Sequence, residues 1–136
     1  MPTSESETFR ASLSRCLLDN AFLRDFYQLL MASSAAVREK FKNTDFPRQT
    51  RVLADSLYIM AVASESKDDA VAWRELDRLA DLHSRSQLDI RPDLYVTWLD
   101  CLVKAASQHD PEFSPEIGEA WRQALTPGIE YLSARY

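Results

Sequence analysis

The stretch 68–83, DDAVAWRELDRLADLH, is where the fold first becomes legible. Trp73, Leu76, Leu79, Ala80 and His83 recur at intervals of three and four residues, the spacing that lines one face of an α-helix. Asp68 and Asp69 place acid where the positive end of that helix would begin. His83 falls one turn after Leu79 and two after Leu76, so its imidazole shares their apolar stripe. A buried neutral imidazole must satisfy one donor and one acceptor nitrogen. Two readings stay open: a hydrogen-bonded core histidine, or a ligand to a metal, haem iron above all.

The same rhythm continues in both directions. Toward the N-terminus it predicts helices over about 4–18, carrying Phe9, Leu13, Cys16 and Leu17, and 21–33, carrying Phe22, Phe26, Leu29 and Leu30. Ser33 and Ser34 then offer a cap for a short piece over 35–41. Pro47 suits the first turn of a helix reaching about residue 63, with Val52, Leu53, Leu57, Met60 and Ala61 inward. Toward the C-terminus, Pro92 opens a helix with Tyr95, Trp98, Leu99, Leu102 and Val103, and the segment His109–Pro115 breaks it. The last helix starts at 114 or 115 and carries Ile117, Trp121, Leu125, Ile129 and Leu132. Pro127 and Gly128 lie inside it. An interior proline disrupts a helix by ~3 kcal/mol unless it kinks, and the unbroken apolar face predicts a kink rather than a stop. The expected class is all-α: six long or medium helices plus a short one, in one domain spanning 1–136.

Composition narrows the alternatives. The 136 residues are 46% hydrophobic and 27% charged, ordinary globular usage that argues against disorder. There are two glycines, Gly118 and Gly128, and none before them. Tight hairpin turns and phosphate-cradling loops need residues tolerant of positive φ, so β-sandwiches, dinucleotide folds and P-loops are disfavoured together. Two histidines, His83 and His109, are too few for a multi-histidine metal cage. The net charge of −5 and the lack of a basic stripe argue against nucleic-acid binding. No uncharged run approaches the ~20 residues of a membrane span. Residues Met1–Arg15 are polar and partly acidic, unlike a secretory signal or transit peptide, so a cytoplasmic location is expected. Cys16 and Cys101 read as two reduced core thiols.

Few residues suggest chemistry. No Gly-x-Ser-x-Gly elbow or activated cysteine motif is present, and Glu116 with Glu119, like Asp77 with Asp81, reads as a charged helix face. No catalytic residue is assigned. Tyr27, beside Phe26, is either an amphipathic packing residue or a buried phenol able to donate a hydrogen bond to a bound diatomic ligand. Gln49, one turn before Leu53, is either a surface glutamine or a second such donor. His109, among Gln108, Asp110 and Pro111, reads as a solvated loop residue.

Taken together these residues resemble the single-domain bacterial haemoglobins. Phe26-Tyr27 followed by Val37-Arg38-Glu39-Lys40-Phe41 looks like that family's passage from the distal tyrosine to the phenylalanine wedged against haem. Thr44-Asp45-Phe46-Pro47-Arg48-Gln49, with Leu53 following, is similar to the start of the distal helix. Leu79-Ala80-Asp81-Leu82-His83 resembles the end of the proximal helix, Ile90-Arg91-Pro92 with Tyr95 the start of the next, and Ala120-Trp121 a pair in the last. The resemblance implies a globin fold around haem b (iron protoporphyrin IX). His83 would be the axial iron ligand, with Phe41, Leu53, Leu79, Ile90, Tyr95 and Trp98 as walls. Tyr27 and Gln49 would face the gas. Arg85 and Arg91 flank the loop beyond His83, where haem propionates could be met. The implied partner is O2, NO or CO, bound for transport or storage. The resemblance also admits a gas sensor, a nitric-oxide dioxygenase served by a separate reductase, a haem-free interaction module, and assembly as a homodimer. The family's late glutamate behind the proximal histidine has no counterpart; its spacing lands near Tyr136.

Overall fold

The computed structural model describes residues 4–136, with side chains from residue 5 onward. Seven helices follow one another with no strand among the described residues: α1 (Ser4–Leu17), α2 (Ala21–Ser33), α3 (Ala35–Lys40), α4 (Phe46–Glu65), α5 (Ala70–His83), α6 (Asp93–His109) and α7 (Pro115–Ala134). Short polar side chains start four of them. Ser34, Asp45, Asp69 and Ser114 each accept a hydrogen bond from the N–H three residues on, at 3.1 to 3.3 Å. Each such cap is worth ~1 kcal/mol. The corners are thus built by side chains rather than by glycine.

The expected all-α architecture is what the chain adopts. Helix α2 lies on α6, while α7 runs through the middle, touching α1, α4, α5 and α6. Phe9, Phe22, Phe26, Leu57, Leu76, Leu102, Trp121 and Leu125 are fully buried where these helices meet. The ring of Trp121 meets Phe9 and Phe22 edge-on, at 4.9 and 5.9 Å between centroids. Helix α7 does not stop at Pro127, and Thr126 turns its hydroxyl back onto the Arg122 carbonyl at 2.6 Å. Neither glycine has positive φ. Gly128 instead allows close approach, since a Cβ there would stand 2.8 Å from Cε of Met60.

Two polar clusters tie the core together. Buried Asp110, capping α6, accepts Ser12 Oγ at 2.6 Å and both Arg15 Nε and Nη2, at 2.7 and 2.9 Å. Trp121 Nε1 donates to Ser12 Oγ at 2.9 Å, which links α1, α6 and α7. Glu65, ending α4, pairs with Arg10 of α1 at 2.5 Å.

His109 corrects the sequence reading. It ends α6 half-buried rather than standing in a solvated loop. Its Nδ1 meets Asp19 at 2.5 Å, its Nε2 meets Asp25 at 2.7 Å, and its ring packs on Phe22. Burial works against the charged imidazole, but bonds to the two carboxylates outweigh it and raise the pKa above 6.5. Both nitrogens then carry protons and donate. A raised folded-state pKa gives stability that is complete below about 6.5 and lost as pH rises through the folded value. The difference in urea midpoint between wild type and His109→Ala is therefore expected to shrink as pH rises above about 6.5. A difference independent of pH would contradict the ion pairs.

Candidate functional site

Helices α2, α3, α4, α5, α6 and α7 enclose a cavity of about 360 Å³. Tyr27 comes from α2, Phe41 from the end of α3, and Gln49 with Leu53 from successive turns of α4. Leu79 and His83 come from the last turns of α5, Ile90 from the following loop, and Tyr95 with Trp98 from α6. The nine residues that the resemblance implied as axial ligand, walls and gas-facing pair thus line one cavity. Leu30, Val37, Met60, Leu94, Ile129 and Leu132 complete its apolar wall; Ile129 and Leu132 were legible only as a helix face.

His83 is the last residue of α5. Its Nδ1 lies 2.7 Å from the Leu79 carbonyl oxygen. A carbonyl can only accept, so Nδ1 carries the proton and Nε2 keeps its lone pair. Among the described residues no hydrogen-bond partner meets Nε2. Burial pushes the His83 pKa down, against a smaller opposing effect of that carbonyl, so the ring is neutral near pH 7. A neutral imidazole with one nitrogen fixed and the other free is the state that binds a metal.

The opposite wall is polar at one place. Burial raises the Tyr27 phenol to about 12, opposed in part by a hydrogen bond with the Gln49 side chain. Of the readings left open, the pair lies on the cavity wall: Tyr27 is buried and Gln49 half-buried. The Tyr27 ring meets Phe41 at 5.7 Å and Phe46 at 5.4 Å between centroids.

At the mouth, Val52, Leu82 and Leu88 border the cavity yet stand 40 to 47% exposed. Large apolar side chains gathered in water mark a surface meant to be covered. Lys40, missed in the sequence, is the one Lys or Arg on the lining among the described residues; its Nζ donates to the Leu88 carbonyl at 3.0 Å. Arg85 and Arg91 do not border the cavity. Arg85 stacks over the Tyr136 ring at 4.9 Å and Arg91 pairs with Asp93 at 3.5 Å.

The loop after His83 is held without glycine. Asp89 adopts φ 53°, its N–H donates to the Ser84 carbonyl at 2.8 Å, and its carboxylate accepts the Tyr136 hydroxyl. Tyr136 therefore secures this loop and does not touch His83. Both cysteines are free thiols, and burial pushes Cys16 up to about 12, leaving it unreactive near neutral pH.

A flat apolar prosthetic group with acidic edges fits these walls, this lone pair and this cation. A Globin family model matches residues 24–129, and the chain belongs to the globin family. Family and fold together imply a haem-binding protein. Protein PA3967 of Pseudomonas aeruginosa PAO1 is similar over 98% of both chains, at 33% identity and a TM-score of 0.91. Its crystal structure is described as structurally highly homologous to a human hemoglobin. No curated protein matches the chain. No helix among the described residues is long and apolar enough to cross a membrane.

Proposed function

We propose that this globin holds haem b through Nε2 of His83 and binds a diatomic gas, O2 first among them, reversibly on the Tyr27–Gln49 side. The observation that carries the reading is the bond from His83 Nδ1 to the Leu79 carbonyl, which leaves Nε2 free beside the cavity. Haem, when bound, supplies the iron that takes the gas; the chain supplies everything around it. Leu53, Leu79, Phe41 and Trp98 keep water away, which slows oxidation. Lys40 offers its charge to a haem carboxylate at the mouth. Tyr27 stays protonated far above neutral pH and donates its hydroxyl proton to a polar gas molecule.

The proximal side favours reversible binding over oxidative chemistry. A carboxylate partner would raise the basicity of the axial histidine. His83 has a neutral carbonyl instead. Formation of nitrate from NO with an added electron donor would instead favour a dioxygenase served by a separate reductase. A cytoplasmic carrier or store is the setting this reading implies.

Tyr27→Phe tests the distal assignment. One neutral hydrogen bond is worth roughly 0.5–1.5 kcal/mol, so O2 dissociation is expected to quicken about 2- to 13-fold. Stopped-flow displacement of O2 by CO measures it. An unchanged rate would remove Tyr27 from the distal role.

A further inference from the structure

A second, outer cavity, an open surface cleft of about 570 Å³, lies between α2 and the first turn of α4. Exposed Asn20, Arg24 and Gln28 form its rim, and Met31 and Phe46 lie deeper. Its floor is Tyr27, which also lines the inner cavity. The partition between the two spaces is aromatic. Phe41 borders the inner cavity alone and Phe46 the outer alone. Their rings are nearly parallel, at 6.1 Å and 24°, and the Tyr27 ring packs against both.

This partition has one movable member. Gln49 fixes the Tyr27 phenol, and the Thr50 hydroxyl holds the Phe46 carbonyl, so the backbone of the first α4 turn is pinned. The Phe46 side chain has no polar anchor and is half-buried at the edge of the open space. Rotation of a partly exposed side chain takes picoseconds to nanoseconds. The inner cavity's other opening is the rim of Val52, Leu82 and Leu88, which the prosthetic group itself would cover.

We propose that Phe46 is the leaf of a gas port: a diatomic ligand passes from the outer cavity to the Tyr27 side of the inner one when the Phe46 ring swings aside. The port rests on the haem-globin reading above. It predicts that the outer space holds apolar gas and that Phe46 controls the rate, not the affinity, of binding.

Two measurements separate these statements. The first uses the apoprotein with methyl-labelled methionine, since Met31 lines the outer cavity and Met60 the inner. Xenon pressure is expected to shift the Met31 methyl resonance; a Met31 signal unmoved by xenon would overturn the port. The second is CO rebinding after flash photolysis of the haem-loaded protein. Phe46→Trp is expected to slow bimolecular CO association about tenfold, equivalent to a barrier ~1.4 kcal/mol higher. Phe46→Ala is expected to speed it. Association unchanged by both Phe46 variants would overturn the proposal. Loss of haem binding by the wild type would sink the function reading, while the xenon result would still judge the outer cavity.

Discussion

His83→Ala is expected to lose haem affinity by at least about 100-fold, beyond what removing a mere outer-shell partner of a ligand costs. The expectation follows from what each ring nitrogen does. Nδ1 is committed to the Leu79 carbonyl, and the free lone pair sits on Nε2. No second imidazole can substitute, because His109 is held between Asp19 and Asp25 at the far end of α6. The fold should survive, since His83 is the half-buried last residue of its helix. Far-ultraviolet circular dichroism checks that, haemin titration checks the affinity, and added imidazole should restore histidine-type absorption by filling the vacated space. A His83→Ala protein with unchanged affinity and spectrum would show that another group holds the iron.

Asp110→Ala is expected to lower unfolding free energy by about 3 kcal/mol, the low end of the usual cost of removing one member of a buried ion pair, because Arg15 is partly exposed and keeps Glu112 at 3.5 Å. The carboxylate is fully enclosed and organises four donors: Ser12 Oγ, Arg15 Nε, Arg15 Nη2 and the Glu112 N–H. Without it, Ser12 still accepts from Trp121 but has lost its own acceptor. Arg15 keeps some water, its side chain being 25% exposed. Burial opposes the charge on Asp110, but the bonds from Arg15, Ser12 and Glu112 win and hold it at about 2, against 3.8 ordinarily. A depressed carboxylate contributes stability that is complete above about 3.8 and lost as pH falls toward 2. Urea unfolding at neutral pH should show the full deficit, and the gap from wild type should close in acid. A neutral-pH difference under about 0.5 kcal/mol, the usual range for surface positions, would contradict the network.

Helix existence was legible because the apolar period and the caps are local properties. Periodicity set α2 to its residues, and Asp69 announced α5. Ends were less legible: the helix expected to break at His109 includes it, because Asp19 and Asp25 hold that residue from elsewhere in the chain. Scarce glycine argues against hairpin-rich and phosphate-loop folds. The structure adds that Asp89 takes the positive φ itself, and that Gly128 serves packing against Met60.

The site divides in the same way. Local spacing put Leu53 one turn after Gln49 and His83 one turn after Leu79, but Tyr27, Phe41, Gln49, Leu53 and His83 stand on different elements, and it was the resemblance to bacterial haemoglobins that implied one pocket for them. Lys40 could not, because its bond to the Leu88 carbonyl spans the cavity mouth. Arg85 and Arg91 looked suitable from position alone, yet Tyr136 and Asp93 engage them. The Ser12–Asp110 pair joins distant parts of the chain, and nothing local marks either residue.

The central claim is that this cavity holds haem through His83 and leaves the opposite side open to a gas. The most direct measurement is the absorption spectrum of the purified protein with one equivalent of haemin, before and after reduction under CO. A Soret band at about 400–430 nm that sharpens and shifts on CO binding is predicted for a histidine-held haem. A spectrum no different from that of free haemin would contradict the account.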